Sequence, residues 1–265
     1  MAISVDIRQK LHHLIPEGSF VSRSLLLNQN INHHTIDNLV KSVHLEVVKK
    51  GLYKRAFTKL SWQGVVFALQ RMYDFDVVIG GLTALELQGY AHYLPLNKTR
   101  HVHLFAKRTL PDWISTLVEG TNFVCHLQSD LQSRVHLKNG FHSVMKKNTL
   151  AFPWRDDMPT LDMSNPERAI LELMVDVPND ISFENAIQIL QGMTSLSPSK
   201  LNELLLICDN IRVRRLFLWM AERQNHPWFK MLNLENISLG SGNRVLVKGG
   251  VLNKKYKITV PQDYE

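Results

Sequence analysis

Residues 20–57 read FVSRSLLLNQNINHHTIDNLVKSVHLEVVKKGLYKRAF. Ser22 is placed to cap a short helix whose buried side is Leu25 to Leu27, and Asn28-Gln29-Asn30 is a run of turn formers. Asn32 then caps a longer helix. In it Ile36, Leu39, Val40 and Val43 recur at i, i+3, i+4 and i+7, the stripe of a half-buried helix. Residues 45–48 and 52–54 follow as two strand-like runs around Lys49-Lys50-Gly51, whose glycine accepts a positive φ. Upstream, residues 5–15 put Ile7, Leu11, Leu14 and Ile15 on one face before Pro16-Glu17-Gly18 stops the helix. Three helices and a hairpin in this order make a winged helix-turn-helix over residues 1–58. Its third helix turns His34, Asn38 and Lys41 away from the stripe, which places them to reach base edges in a major groove.

A chain of 265 residues exceeds that module, and 45% hydrophobic residues are enough for a second core, assigned to residues 59–265. Lys and Arg outnumber Asp and Glu by 31 to 24, a net charge of +7. The first sixty residues hold nine of the cations and four of the anions, which is +5 of that excess. A local surplus of this kind suits a polyanion, because counterion release from a duplex favours association regardless of sequence. Cys125 and Cys208 lie in apolar runs without metal-ligand spacing, so neither a disulfide framework nor a zinc knuckle is expected. With no uncharged apolar run of about 18 residues and a mixed N-terminus, the reading is cytoplasmic, with no membrane partner.

Past the wing, Ser61 opens a helix with Trp62, Val65, Val66, Leu69 and Met72 on its apolar side, and FDVVIGG at 75–81 is strand-like. Short helices and strands then alternate: LTALELQGY at 82–90, RHVHLFA at 100–106, LPDWISTLV at 110–118 and NFVCHLQS at 122–129. The class is α+β. Ser164-Asn165-Pro166-Glu167 reads as a capping box ahead of AILELMVDV, and helix continues to about Asn225. The terminal NRVLVKGGVLNKKYKITVP reads as two strands about a glycine-containing turn, a late β-hairpin.

Taken in order, the wing, IGGLTALELQGYAHYLP at 79–95, LPDW at 110–113, SNPERAILEL at 164–173 and the terminal hairpin resemble the AbiEi-type antitoxins of abortive-infection E systems. The resemblance spans nearly the whole chain. It implies a winged helix that binds inverted repeats of double-stranded DNA in its own promoter and represses the operon. It also implies a larger domain with antitoxic activity in a type IV toxin-antitoxin pair used in phage defence. The partner toxin would be an AbiEii-like nucleotidyltransferase, counteracted without stable direct binding. The DNA-reading role then falls on Arg23, His33, His34, Thr35, Asn38 and Lys41, and phosphate contact on Lys49, Lys50, Lys54 and Arg55. The third helix has no arginine for a bidentate guanine contact, whereas Asn38 suits adenine. Its histidines would strengthen binding as pH falls through their titration.

No catalytic residue, cofactor or metal ligand is expected. The alternative class is a nucleic-acid-processing or metal-dependent enzyme centred on the second domain. For that class, His101 and His103 alternate onto one strand face but lack an evident third ligand, as exposed strand histidines often do. Gly80-Gly81 has neither a GxGxxG pattern nor a following Lys-Ser/Thr, so a tight strand-to-helix turn explains it. Neither Gly-Ser pair, at 18–19 or 240–241, precedes strand carboxylates that could hold magnesium, and no nucleophile elbow is present. Arg212, Arg214 and Arg215 beside Phe217, Trp219 and Trp228 read as a solvated face on an aromatic core, or as a second nucleic-acid surface. Lys248, Lys254, Lys255 and Lys257 would extend a DNA-facing surface or guard the terminal hairpin against edge pairing.

Overall fold

The computed structural model describes residues 5–72, 75–91, 99–131, 140–156 and 158–264. Side-chain caps set the N-terminal helices where the sequence places them. α1 spans Val5–Leu14, β1 Val21–Ser22, α2 Arg23–Asn28 and α3 His33–Lys41. Ser22 Oγ accepts from Leu25 N at 3.2 Å and Asn32 Oδ1 from Thr35 N at 2.8 Å, each satisfying an orphan donor of a first turn. β2 (Leu45–Lys49) and β3 (Leu52–Arg55) form the wing, and β1 adds to β3, giving an antiparallel sheet of order β1-β3-β2. Leu11, Ile15, Val21, Leu26, Ile31, Ile36, Leu39, Leu45 and Tyr53 are its core.

The buried stripe of α3 ends earlier than its spacing predicts. The helix stops at Lys41, Ser42 caps it, and His44 N turns back to Leu39 O at 2.9 Å. Val43 is thereby thrown to φ 54 and left 51% exposed, a left-handed conformation that a β-branched residue adopts at a cost. Val43→Gly is expected to raise stability by about 0.5–1 kcal/mol, strain relief outweighing the added unfolded-chain entropy. A lower urea midpoint would refute this.

The second unit is built on a mixed five-stranded sheet of order β6-β5-β4-β8-β7. β4 (Val78–Ile79) is the short central strand, antiparallel to β5 (Arg100–Ala106) and parallel to β8 (Leu161–Ser164). β6 (Thr121–Leu127) runs parallel to β5, and β7 (Thr149–Phe152) antiparallel to β8. α4 (Trp62–Met72) packs on β8, and α5 (Gly81–Leu87) packs on β5 and on α7 (Pro166–Leu173). α6 (Phe141–Lys147), α8 (Phe183–Gly192), α9 (Pro198–Ile207), α10 (Ile211–Gln224) and α11 (Pro227–Lys230) complete the helical part, with Leu216, Phe217, Trp219 and Trp228 buried. Among the described residues no helix is long and apolar enough to cross a membrane. The contribution expected of the Met72 side chain, and positions 92–95 of the 79–95 run, lie outside the described residues.

Four local expectations shift. FDVVIGG yields only a two-residue strand, because Gly80 already opens α5. The 110–118 run contributes a 3-10 turn at Asp112–Thr116. The cap of α7 is Asn165, whose Oδ1 accepts from Arg168 N at 2.9 Å; Glu167 accepts instead from Ser197 N at 2.8 Å, so no box closes on Ser164. The late hairpin pairs β9 (Val251–Asn253) with β10 (Ile258–Val260), turning at residues 254–257 rather than at the glycines. Gly250 is required by contact instead, since a Cβ there would lie 2.4 Å from Val260 O.

The wing is joined to the larger unit. Phe20 and Leu52 belong to the larger core, Phe20 meets Trp113 edge-on at 6.0 Å, and Ser61 N donates to Gly18 O at 2.9 Å.

Candidate nucleic-acid interface

The residues expected to face DNA divide into those the fold leaves open and those it uses. His34, Asn38 and Lys41 are exposed, and among the described residues their side chains have no partner. Thr35 is half-exposed beside them, its N–H taken by the Asn32 cap. Arg23, the first residue of α2, is an internal clamp. Its Nε donates to His33 Nδ1 at 3.2 Å, Nη1 to Tyr53 Oη at 3.0 Å and Nη2 to Asp37 Oδ1 at 2.9 Å. This clamp fixes α2, α3 and β3 together. It also pairs Asp37, on the same helix as the reading residues, with a cation, and uses His33 Nδ1 as an acceptor.

The wing cations are divided in the same way. Lys54 pairs with Glu46 and donates to Thr58 O at 2.6 Å, and Glu46 also accepts from Phe57 N at 2.9 Å. Lys54, then Phe57 N–H, hold the Glu46 carboxyl below the usual carboxylate range. Arg55 Nη1 lies 2.6 Å from His12 Nδ1, tying β3 to α1. Lys49 Nζ sits 5.7 Å over the Trp113 ring, toward the larger unit. Lys50, beside Gly51 at φ 79, is exposed at the tip and among the described residues has no side-chain partner.

In the arginine cluster of α10, Arg212 is half-buried, and Arg214 and Arg215 are neither solvated nor available to a nucleic acid. Arg214 is 4% exposed and Arg215 0%. Arg215 donates to the carbonyls of Leu239 (2.6 Å), Gly242 (2.7 Å), Lys257 (3.0 Å) and Ser241 (3.3 Å). Arg214 donates to Ser238 O at 2.7 Å and Asp209 at 3.2 Å, and Arg212 to the carbonyls of Met174, Val175 and Val177. The tail lysines 248, 254, 255 and 257 are exposed, with Lys255 paired to Glu222.

Gly80-Gly81 cradles a carboxylate of the chain itself. Glu172 Oε2 accepts from Gly81 N at 3.1 Å, and a Cβ at Gly80 would lie 2.3 Å from the same oxygen. Gly81 itself has φ +50. Glu172 is in turn paired with Arg168 at 2.7 Å, with side chains 0% and 1% exposed.

Beyond α5 a cleft of about 720 Å³ is lined by Glu86, Tyr90, Arg100, His101, His103 and Asn122, among others. Burial raises the Glu86 carboxyl, against the pull of Arg100 and His103. His101 is exposed, but His103 is 3% exposed and has the carboxylate neighbour that its strand pattern does not reveal: its Nδ1 is 3.2 Å from Asp176 Oδ2. His126 Nε2 lies 3.4 Å from the other oxygen, Asp176 Oδ1. Burial lowers the His126 pKa, Asp176 opposing and His103 adding to it. This cluster can hold a cation.

Comparison with known proteins follows the two-part fold. Residues 6–96 match a family described as "Transcriptional regulator, AbiEi antitoxin N-terminal domain", and residues 99–261 match "Transcriptional regulator, AbiEi antitoxin, Type IV TA system". The crystal structure of the RV2827C protein from Mycobacterium tuberculosis is similar, at 13% identity and a TM-score of 0.52 over 97% of this chain and 92% of that one. That likeness is one of fold. No curated protein matches the sequence.

Proposed function

The chain belongs to the AbiEi antitoxin family of transcriptional regulators of type IV toxin-antitoxin systems, and on that premise we propose that it represses its own operon by binding inverted repeats in the promoter. α3 enters the major groove, with Asn38 facing adenine and His34, Thr35 and Lys41 beside it. Lys50 meets phosphate at the wing tip. We further propose that residues 1–58 are the DNA-binding unit, because most of their buried apolar side chains, Phe20 and Leu52 excepted, form a cluster of their own. Residues 59–265 then counteract a nucleotidyltransferase-like toxin in the cytoplasm without forming a stable complex with it. The observation that carries the reading is the exposed row of His34, Asn38 and Lys41, kept free of internal partners among the described residues while Arg23 pairs with Asp37.

The test is fluorescence anisotropy with the upstream promoter fragment and a scrambled duplex at two salt concentrations. Preferential, salt-sensitive binding to the promoter is expected. Lys50→Ala should weaken both duplexes and reduce the salt slope by about 1. Asn38→Ala should reduce the preference by about 1–3 kcal/mol. Lys50 is the clean probe among the wing cations, because replacing Lys54 or Arg55 also removes contacts inside the hairpin. Equal affinity for the two duplexes, or an unchanged slope, would overturn the assignment.

A further inference from the structure

We propose that His103, His126 and Asp176 form a site for one divalent transition-metal ion, zinc by ligand preference, with a coordination position left open beside the cleft. The three come from separate elements: β5, β6 and the turn after α7. β5 and β6 are paired in parallel with His103 opposite Val124 and His126 opposite Phe105, so the histidines share a sheet face two residues apart. That stagger accounts for the use of different nitrogens. His103 offers Nδ1, close to its backbone, and His126 reaches back with Nε2.

The spacing also suits an ion. Two donors each about 2.1 Å from a tetrahedral centre stand about 3.4 Å apart. His103 Nδ1 stands 3.2 Å from Asp176 Oδ2 and His126 Nε2 3.4 Å from Asp176 Oδ1, and one donor atom from each residue lies within 4.8 Å of the other two. His103 Nδ1, His126 Nε2 and Asp176 Oδ2 are all buried without a hydrogen-bond partner, although buried polar atoms are nearly always paired. Facing one another across ion-pair distances with no hydrogen bond made, these three atoms are placed to share a cation.

The ring planes are held in place. The histidine rings lie 8° from parallel with centroids 5.8 Å apart, and Phe105 stacks on His126 at 4.6 Å. From α5, Thr83 Oγ1 accepts from His103 N at 2.9 Å. Arg212 is the cation that opposes occupancy, but its guanidinium is spent on the carbonyls of Met174, Val175 and Val177. Asp130 and Glu172 add negative field at His126 from further out.

Two imidazoles and one carboxylate favour zinc, cobalt, nickel or iron over calcium and magnesium, which prefer all-oxygen shells. Three protein ligands leave a fourth position for water or an anion. His103 belongs to both the cluster and the cleft wall, which is the side on which the proposal puts that position.

The experiment is titration of the full chain, first dialysed against chelator, with cobalt(II) followed by visible absorption and with zinc(II) followed by calorimetry. One ion per chain and the intense ligand-field bands of four-coordinate cobalt are expected. Asp176→Asn and His126→Asn should each weaken binding by more than the roughly 10- to 100-fold that loss of an outer-shell partner costs. His33→Ala/His34→Ala should leave it unchanged, which separates the site from the surface histidines of α3. X-ray absorption of the wild-type zinc complex, which needs no variant to fold, should count two imidazoles. No one-to-one binding, a different imidazole count, or affinity indifferent to both ligand variants would overturn the proposal.

Discussion

Truncating Glu172 to alanine is expected to cost about 3–5 kcal/mol of folding stability, the loss typical when one partner of a buried ion pair is removed. Arg168 and Glu172 meet at 2.7 Å on successive turns of α7, with side chains 1% and 0% exposed. The removal strands two sets of groups. Arg168 keeps Met145 O at 2.8 Å and Thr149 Oγ1 at 3.1 Å but loses its counterion in a site closed to water. Gly81 N–H, in the first turn of α5, loses its acceptor. Glu172→Gln should cost less, because an amide oxygen can still receive Gly81 N–H while only the charge is lost. Replacing both partners with apolar residues should recover much of the deficit, since the desolvation of two charges disappears along with their attraction. Urea unfolding monitored by tryptophan fluorescence reads all three variants. A loss below about 1 kcal/mol for Glu172→Ala, the range of an exposed pair, would show that the pair is screened by solvent.

Glu172 also marks what a sequence can and cannot disclose. The winged helix is legible because its determinants are local: Ser22 and Asn32 cap within three residues, and Ile36 and Leu39 are buried as their period requires. Val43 departs only because the helix ends two residues before it. The membership of the chain is likewise legible from motif order, and the matches over residues 6–96 and 99–261 agree with it. Gly80-Gly81 is readable as a tight turn, but not as the cradle of a carboxylate supplied by α7. The same holds for His103, whose partners arrive from β6 and the turn after α7, and no periodicity links such distant positions. The wing cations are readable as positive charge; that Lys54 and Arg55 serve Glu46 and His12 depends on cross-strand register and on how β3 packs against α1. Beside Phe217, Trp219 and Trp228, which are core as read, Arg214 and Arg215 depart from both readings for the same reason. Polar residues at a helix face read as solvated unless the acceptors that bury them are known.

Those acceptors make Arg215 the second decisive position. Arg215→Ala is expected to lose on the order of 3 kcal/mol, from a charge-assisted hydrogen-bond fan and the space its side chain fills. The guanidinium, fully buried, reaches the carbonyls of Leu239, Ser241, Gly242 and Lys257, so one side chain fastens the terminal segment to α10. Its other polar ties to α10 among the described residues are single contacts, Arg214 to Ser238 O and Lys255 and Tyr256 to Glu222. Its own hairpin is three residues per strand, and the bridge from Arg244 to Ile258 depends on the same loop. The loss should therefore be local as well as global. Trypsin should cut the variant at Arg244, Lys248, Lys254 or Lys255, all exposed yet held in a folded loop, faster than it cuts the wild type. Arg215→Lys should not restore protection, because one ammonium cannot span four carbonyls that a planar fork reaches together. Wild-type cleavage rates in Arg215→Lys would mean that charge alone holds the segment, and wild-type rates in Arg215→Ala would mean that Tyr256, Ile258 and Val260, buried against the core, hold it without the arginine.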